Sequence, residues 1–355
     1  MVTLNQIRAS NAKVETSLGP GLVAVFVGAT SGIGEATLKQ FARHVAKPRV
    51  YFLGRSKGSG DRVKAELQKI NPGGEYNFVS VDVSLLHSVD DVCREIREKE
   101  SAINLLFLSM GTVVRGNETT EGLHYFAAVS YYARMRFVVN LLPLLQRATG
   151  LRRVVTVAVG TKEGPVDATD MQGRRASFPW RLRGHFASLT TLALEAIAAR
   201  GAQGVAFVHD YPGYVRTSLG RRDATGATAA VLAAADAVLG LLAPLIAVPL
   251  DESGERHLFL GTSARFRPRD TITVQNDGTC AGGDGSGVPL PAGVAIARGT
   301  DGGAGSGVYS VDQDAESAPV AVEGLLDRLR KDGTAEMVWA DLEAEFVRIT
   351  GAASL

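Results

Sequence analysis

Cysteine is nearly absent: Cys93 and Cys280 are the only two among 355 residues. Two are too few to staple a fold, so both are expected as reduced thiols in a cytoplasmic protein. An excess of charge of either sign is missing as well. Lysine plus arginine number 38 against 37 for aspartate plus glutamate, which leaves no electrostatic case for nucleic acid, where a basic patch is required. No HxxE, HExxH or CxxC spacing suggests a metal site. The segment 1–19, MVTLNQIRASNAKVETSLG, has no apolar run after its basic residues, so no secretory signal is expected. The only hydrophobic run approaching the length of a membrane span is 228–250, TAAVLAAADAVLGLLAPLIAVPL. Asp236, Pro244 and Pro249 interrupt it and alanine dominates it. It reads as a buried or substrate-flanking helix in preference to one lying on a membrane surface.

What is present is a rhythm. Leu22–Gly28 is a short apolar run ending in glycine, the signature of a buried parallel strand. A helix is expected over Gly32–Val45, then a strand at Arg49–Leu53 and a helix at Asp61–Ile70. A strand at Tyr76–Val81, a helix at Ser88–Glu100 and a strand at Asn104–Ser109 follow. A long helix over Leu123–Gln146, a strand at Arg153–Val159, a helix at Gly184–Arg200 and a strand at Val205–His209 complete the alternation. Strands alternating with helices predict an α/β fold with a doubly wound parallel sheet and helices on both faces. After about residue 250 the rhythm breaks. Glu255–Gly261, ERHLFLG, reads as a last strand. Asn276–Gly307 is loaded with glycine and reads as a surface insertion in preference to a lid. Gly324–Arg330 and Thr334–Ile349 read as terminal helices. One domain is expected: an extension over 1–20, a core over 21–262, and a glycine-rich extension with helices over 263–355.

The sharpest signal is GATSGIG, from Gly28 through Ala29, Thr30, Ser31, Gly32 and Ile33 to Gly34. It stands after a strand and opens a helix. Glycines there permit a tight turn and close approach of the backbone to a pyrophosphate. The helix N-terminus beyond offers free N–H groups and the positive end of its dipole. This is the dinucleotide fingerprint of a Rossmann-type fold. About twenty residues on, an NAD-preferring protein places an acid against the ribose 2′-hydroxyl. Here the sequence is Leu53-Gly54-Arg55-Ser56, and Arg55 can pair its guanidinium with a 2′-phosphate instead. NADP(H) is the expected cofactor.

These residues resemble the short-chain dehydrogenases/reductases, in particular the branch similar to retinol dehydrogenases, from about Leu22 to Leu219. GATSGIG resembles the family's TGxxxGIG, and Asp82-Val83-Ser84 its adenine-contacting Asp-Val. Ser109-Met110-Gly111 stands in the place of Asn-Ala-Gly. Pro212-Gly213-Tyr214-Val215-Arg216-Thr217 resembles the PGxVxT segment beside the nicotinamide. The tail, with GSGVYSVD at Gly305–Asp312 and Val338-Trp339, resembles fungal members tied to secondary metabolism. The resemblance implies that the cofactor-binding set includes Ser56, Asp82, Val83, Ser109, Gly111, Pro212, Gly213 and Thr217. It also implies a small-molecule substrate, a secondary-metabolite intermediate, with a homodimer as an open alternative.

The departures from the family carry as much weight. Its members use a Tyr as general acid/base, a Lys four residues later, a Ser on the fifth strand and an Asn in the preceding helix. Alignment puts His185, Leu189, Val159 and Ser130 at those four positions. The machinery that protonates or stabilises the developing alkoxide is therefore expected to be missing. His185 is the first candidate to replace it, since imidazole exchanges protons near neutral pH. Tyr211 and Tyr214, flanking the PG turn, are further candidates, and Tyr131, Tyr132, His209 and Asp210 stand nearby in the pattern. Three functions stay open: an atypical NADP(H)-dependent reductase of an activated carbonyl or iminium, a non-redox isomerase, dehydratase or cyclase, and a cofactor-binding scaffold or sensor.

Overall fold

Alternation along the first strand sets the architecture. The computed structural model describes residues 1–175, 179–202, 204–217, 247–269, 272–274, 280–282 and 286–354. Residues 228–246 of the expected apolar helix at 228–250, and much of the glycine-rich stretch, lie outside them. In β1 (Val23–Val27), Val25 and Val27 enter one apolar cluster while Ala24 and Phe26 enter the other. A strand whose side chains are apolar on both faces must be covered on both.

β2 (Arg49–Gly54), β3 (Glu75–Ser80), β4 (Leu105–Leu108), β5 (Arg153–Val157) and β6 (Ala206–Asp210) join β1. A short antiparallel ladder of β7 (Ile272–Val274) and β8 (Cys280–Gly282) stands apart, and β9 (Val308–Val311) returns to the main sheet. That sheet has seven strands in the order β3-β2-β1-β4-β5-β6-β9, all parallel. One face carries α5 (Leu86–Lys99), α7 (Ala133–Arg147) and α8 (Pro179–Ala199), with α10 (Val320–Lys331) and α11 (Thr334–Thr350) behind them. The other carries α3 (Gly32–His44), α4 (Lys57–Ile70) and α9 (Leu250–Thr262). A short α6 (Tyr125–Ala127) and a π turn at Ala128–Tyr132 lead into α7. The doubly wound α/β expectation holds, and the structure is a Rossmann-type sheet.

Three expectations change. Glu255–Gly261 is not a strand but part of α9. Ser253, Gly254, His257, Leu258 and Gly261 are buried at helical spacing, and Phe259, Leu260 and Thr262 are buried beside them. The LFL run alone masked that period. Gly254 lets α9 close on α3, for a Cβ there would stand 2.9 Å from the Ala36 carbonyl oxygen. Second, Val308–Val311, just beyond the glycine-rich stretch and not read as a strand, is β9 and joins the β6 edge. Third, residues 1–20 are not merely an extension. They form α1 (Leu4–Asn11) and α2 (Val14–Leu18), with Ile7 and Val14 fully buried. Asn11 anchors them by donating to the backbone and side chain of Glu255 at 2.9 and 2.6 Å.

Cys93 is buried and free, its thiol pushed up by burial. No described helix is long and apolar enough to cross a membrane. Among the described residues, no cluster of three His, Cys, Asp or Glu side chains could hold a metal.

Candidate cofactor and active-site cleft

The backbone turns hardest just after β1. Gly28 adopts φ +84° and Gly32 φ +61°, in the left-handed region that favours glycine. A Cβ on Gly28 would lie 2.6 Å from the Met110 nitrogen. One on Gly34 would lie 2.3 Å from Ser109 Oγ and 2.6 Å from the Gly28 carbonyl oxygen. Glycine at these places therefore lets the first turn of α3 press against the ends of β1 and β4. The unpaired N–H groups of that turn stand at the crevice where the strand order reverses.

A cleft of about 810 Å³ opens there, across the C-terminal ends of β1, β2, β4 and β5. Gly28, Thr30, Ser31, Gly32, Ile33, Gly34, Arg55, Ser56, Asp82, Val83, Ser109, Gly111, Pro212 and Thr217 all line it. Gly213, named with them from the sequence, does not; it stands at φ +72° against the Gln313 side chain. Ser56 caps α4, accepting from the Ser59 N–H at 3.3 Å. Arg55, just beyond β2, has its Nη1 3.5 Å from the Tyr125 hydroxyl. Asp82 is the only carboxylate among the lining residues.

The inner half of the cleft differs from the expectation by one residue of helix rotation. The face of α8 turned to it carries Leu182, Phe186 and Thr190, with Arg183 beside them. These are four residues apart, the spacing that keeps side chains on one face. His185 lies off that stripe and does not line the cleft. Its Nδ1 accepts the Asp167 N–H at 3.2 Å and its Nε2 donates to the Met171 carbonyl at 3.1 Å. Burial lowers its pKa, so it is a neutral ring with both nitrogens engaged by one loop. The geometry thus opposes His185 as a proton donor. Leu189 is buried in the core. In either register, 185/189 or 186/190, α8 presents no Tyr and no Lys.

The other candidates are placed as follows. Ser130, in the π turn, and Val159 both line the cleft. Tyr211 and Tyr214 do not. Tyr211 has Lys162 Nζ 4.8 Å and Arg183 Cζ 4.7 Å from its ring centre. Tyr214 is tied through its backbone, its carbonyl accepting the Val248 N–H at 2.9 Å. Tyr131 and Tyr132 are buried away from the cleft, and the Tyr132 hydroxyl donates to Asp341 at 2.6 Å. Asp210 pairs with His257 at 2.9 Å beneath α9.

Two groups escaped the sequence reading. Arg134, one turn beyond Ser130, is buried yet lines the cleft. It donates to the Leu108 carbonyl at 2.9 Å, to Thr156 Oγ1 at 2.5 Å and to the Met110 carbonyl, while its Nε has no partner. Burial pushes its guanidinium down to about 9, so it remains a cation at neutral pH. A charged residue on an otherwise apolar helix face was the available signal. The second is Glu163, in the loop after β5. His209 Nε2 accepts the Val159 N–H at 3.3 Å, its Nδ1 contacts Thr191 Oγ1 at 2.8 Å, and that hydroxyl donates to Glu163 Oε1 at 2.8 Å. Ser310 on β9 donates to the same oxygen at 2.6 Å. Burial raises the Glu163 pKa and, with the Arg134 charge, pushes His209 down to about 3. This row lies under the floor, and the side chains of Glu163, Thr191, His209 and Ser310 are not among those that line the cleft. No local pattern announces it, since its hydrogen-bonded pairs are 18 to 147 residues apart.

Comparison with known proteins agrees with this geometry. The model of the family described as short chain dehydrogenase matches residues 22–169. Oxidoreductase AN1596 of Emericella nidulans is 35% identical over 97% of this chain and 98% of its own. Oxidoreductase andH of Emericella variicolor is 35% identical over 99% of each. Among solved structures, the 3-oxoacyl (acyl-carrier-protein) reductase of Agrobacterium tumefaciens C58 with NADP bound shares the fold at a TM-score of 0.52. It is 20% identical and covers 70% of this chain and 90% of its own.

Proposed function

This chain belongs to the short-chain dehydrogenase family of oxidoreductases, and on that premise we propose that it is an NADP(H)-dependent reductase of an activated carbonyl or iminium, working without a side-chain proton donor. The observation that carries the reading is the division of one cleft into two unlike halves. The outer half keeps the glycine cradle, the helix N-terminus and Arg55. The inner half has hydroxyls, apolar walls and guanidinium groups; the one Tyr of the lining, Tyr125, has its hydroxyl beside Arg55, and no Lys or imidazole is among the lining residues.

The residues present fit the cofactor. Gly28 and Gly34 leave room that a Cβ would fill, and the N–H groups of α3 suit a pyrophosphate. Arg55 suits a 2′-phosphate through charge-assisted hydrogen bonds. Ser109, Gly111, Pro212 and Thr217 frame the inner end. When bound, NADPH supplies a hydride. Arg134 holds a fixed positive charge under the floor, where negative charge on a reacting oxygen is stabilised in a low-dielectric setting. Val159 and Phe186 exclude water from the same place. An iminium carbon needs no proton on reduction, and an activated carbonyl can take its proton from solvent. The substrate is a small molecule, and the tail motifs favour a secondary-metabolite intermediate.

The absence of Tyr and Lys in both registers of α8 also favours a second reading, an isomerase or cyclase that keeps the cofactor as a structural element. One experiment separates the two. Purified protein is mixed with NADPH deuterated at the transferable position and with candidate iminium and carbonyl intermediates. The reductase reading expects loss of nicotinamide absorbance and deuterium in the product. Product formed without label and without cofactor oxidation would transfer the assignment to the isomerase reading.

A further inference from the structure

The charges of the inner cleft are all of one sign. Arg115, Arg134 and Arg183 line it, and no described carboxylate does so on this side, since Asp82 belongs to the outer half. Arg115, Lys162 and Arg183 form no ion pair with any described carboxylate. Elsewhere on the surface Arg62 pairs with Glu35 and Glu66, Arg174 with Glu118, and Arg269 with Asp301. Lys162 and Arg183 also share one aromatic ring. Lys162 Nζ stands 4.8 Å and Arg183 Cζ 4.7 Å from the ring centre of Tyr211, whose neighbour Pro212 lines the cleft. The ring of Tyr211 thus holds both cations at the edge of the cleft, where Arg183 lines it.

We propose that the mouth of the inner cleft is a subsite for a carboxylate borne on an otherwise apolar substrate, with Arg183 as its principal partner and Lys162 as the second charge. This rests on reading the cleft as the substrate site of the reductase. The guanidinium fork of Arg183 matches two carboxylate oxygens, and the ring of Tyr211 fixes the plane in which it presents them. The apolar body has a wall ready: Phe126, Val129, Leu182 and Phe186 line the same space, with the Phe126 and Phe186 rings 5.1 Å apart. The subsite selects substrate and takes no part in proton transfer.

The test uses the full chain and three probes of one shape: phenylbutyrate, its methyl ester and phenylbutylamine. Affinities are measured by titration with and without saturating NADPH, and NADPH affinity is measured separately. Phenylbutyrate is expected to bind at least about tenfold more tightly than its ester, a difference of ~1.4 kcal/mol, and the amine more weakly still. Added salt should shrink the preference, because the charges are exposed. Arg183→Met and Lys162→Met should each weaken phenylbutyrate and leave the ester unchanged, and the double variant should abolish the preference. Equal binding of acid and ester, binding of none of the probes, or a preference that survives the double variant would overturn the proposal. A double variant that loses NADPH affinity instead would assign these cations to the cofactor and overturn it equally. If phenylbutyrate behaves as expected while NADPH does not bind, the subsite stands and the reductase reading fails.

Discussion

At the scale of single residues, the site is set by atoms with no room and atoms with no freedom. Gly34 is the first kind. With Ser109 Oγ and the Gly28 carbonyl both inside contact distance of a Cβ, Gly34→Ala must push α3 away from the strand ends. NADPH affinity is expected to fall by about tenfold or more, ~1.4 kcal/mol. A cofactor titration checks this, and an unchanged affinity would mean that the cradle is not where the pyrophosphate sits. His185 is the second kind, since both ring nitrogens are spent on the 163–171 loop. His185→Phe should cost about 1–3 kcal/mol in denaturant unfolding, the range for stranding buried backbone partners. Product formed per folded molecule should be unchanged. A fall of about a hundredfold in turnover at unaltered stability is the signature of a general acid, and it would restore His185 to the mechanism.

At the scale of elements, β9 shows what a sequence conceals. VYSV is a short apolar run beyond a glycine-rich stretch, and nothing local says which edge it joins. Its pairing with β6 across about a hundred residues is decided by the sheet edge it covers. Tyr309 is fully buried in it, with its hydroxyl donating to the Arg267 carbonyl at 2.5 Å. Tyr309→Ala is therefore expected to destabilise the fold by about 3–5 kcal/mol, as large aromatic deletions in cores do. A loss below about 1 kcal/mol, read from denaturant unfolding, would say that β9 is peripheral. Five βα repeats and a sixth strand were legible because most of these strands are short, apolar and bounded by turn residues, and because GATSGIG fixes where the first crossover begins. α9 was not, because ERHLFLG is too short to reveal its period without the flanking LDES. The face of α8 was misjudged by one residue, since motif alignment fixes sequence position and only packing fixes rotation. The cofactor half of the cleft was legible because its glycines are demanded locally. Arg134 and Glu163 were not, because their partners arrive from distant strands.

For the molecule as a whole, the buried row beneath the cleft links its acid stability to its site. His209 is held at about 3 by burial and by the Arg134 charge, well below the ~6.5 of an unfolded chain. The unfolded state therefore binds a proton that the fold refuses. This contribution is complete above about pH 6.5 and drains away as pH falls, at about 1.4 kcal/mol per pH unit. Glu163 and Asp210, both raised by burial, act in the opposite sense, so the test is a difference. Unfolding free energy should fall more steeply from about pH 6 to about pH 4 in wild type than in His209→Gln, by about that slope. Parallel curves would show that His209 is protonated in the fold.

The central claim is that an intact NADP(H) cleft survives in a chain whose proton-transfer residues are gone. Calorimetric titration of wild type and Arg55→Ala with NADPH and NADH tests it most directly. The account predicts that wild type binds NADPH about 10- to 100-fold more tightly than NADH, ~1.4–2.8 kcal/mol from a charge-assisted contact. It also predicts that Arg55→Ala erases the difference by weakening NADPH alone. Equal affinities in wild type, or no binding of either cofactor, would contradict it.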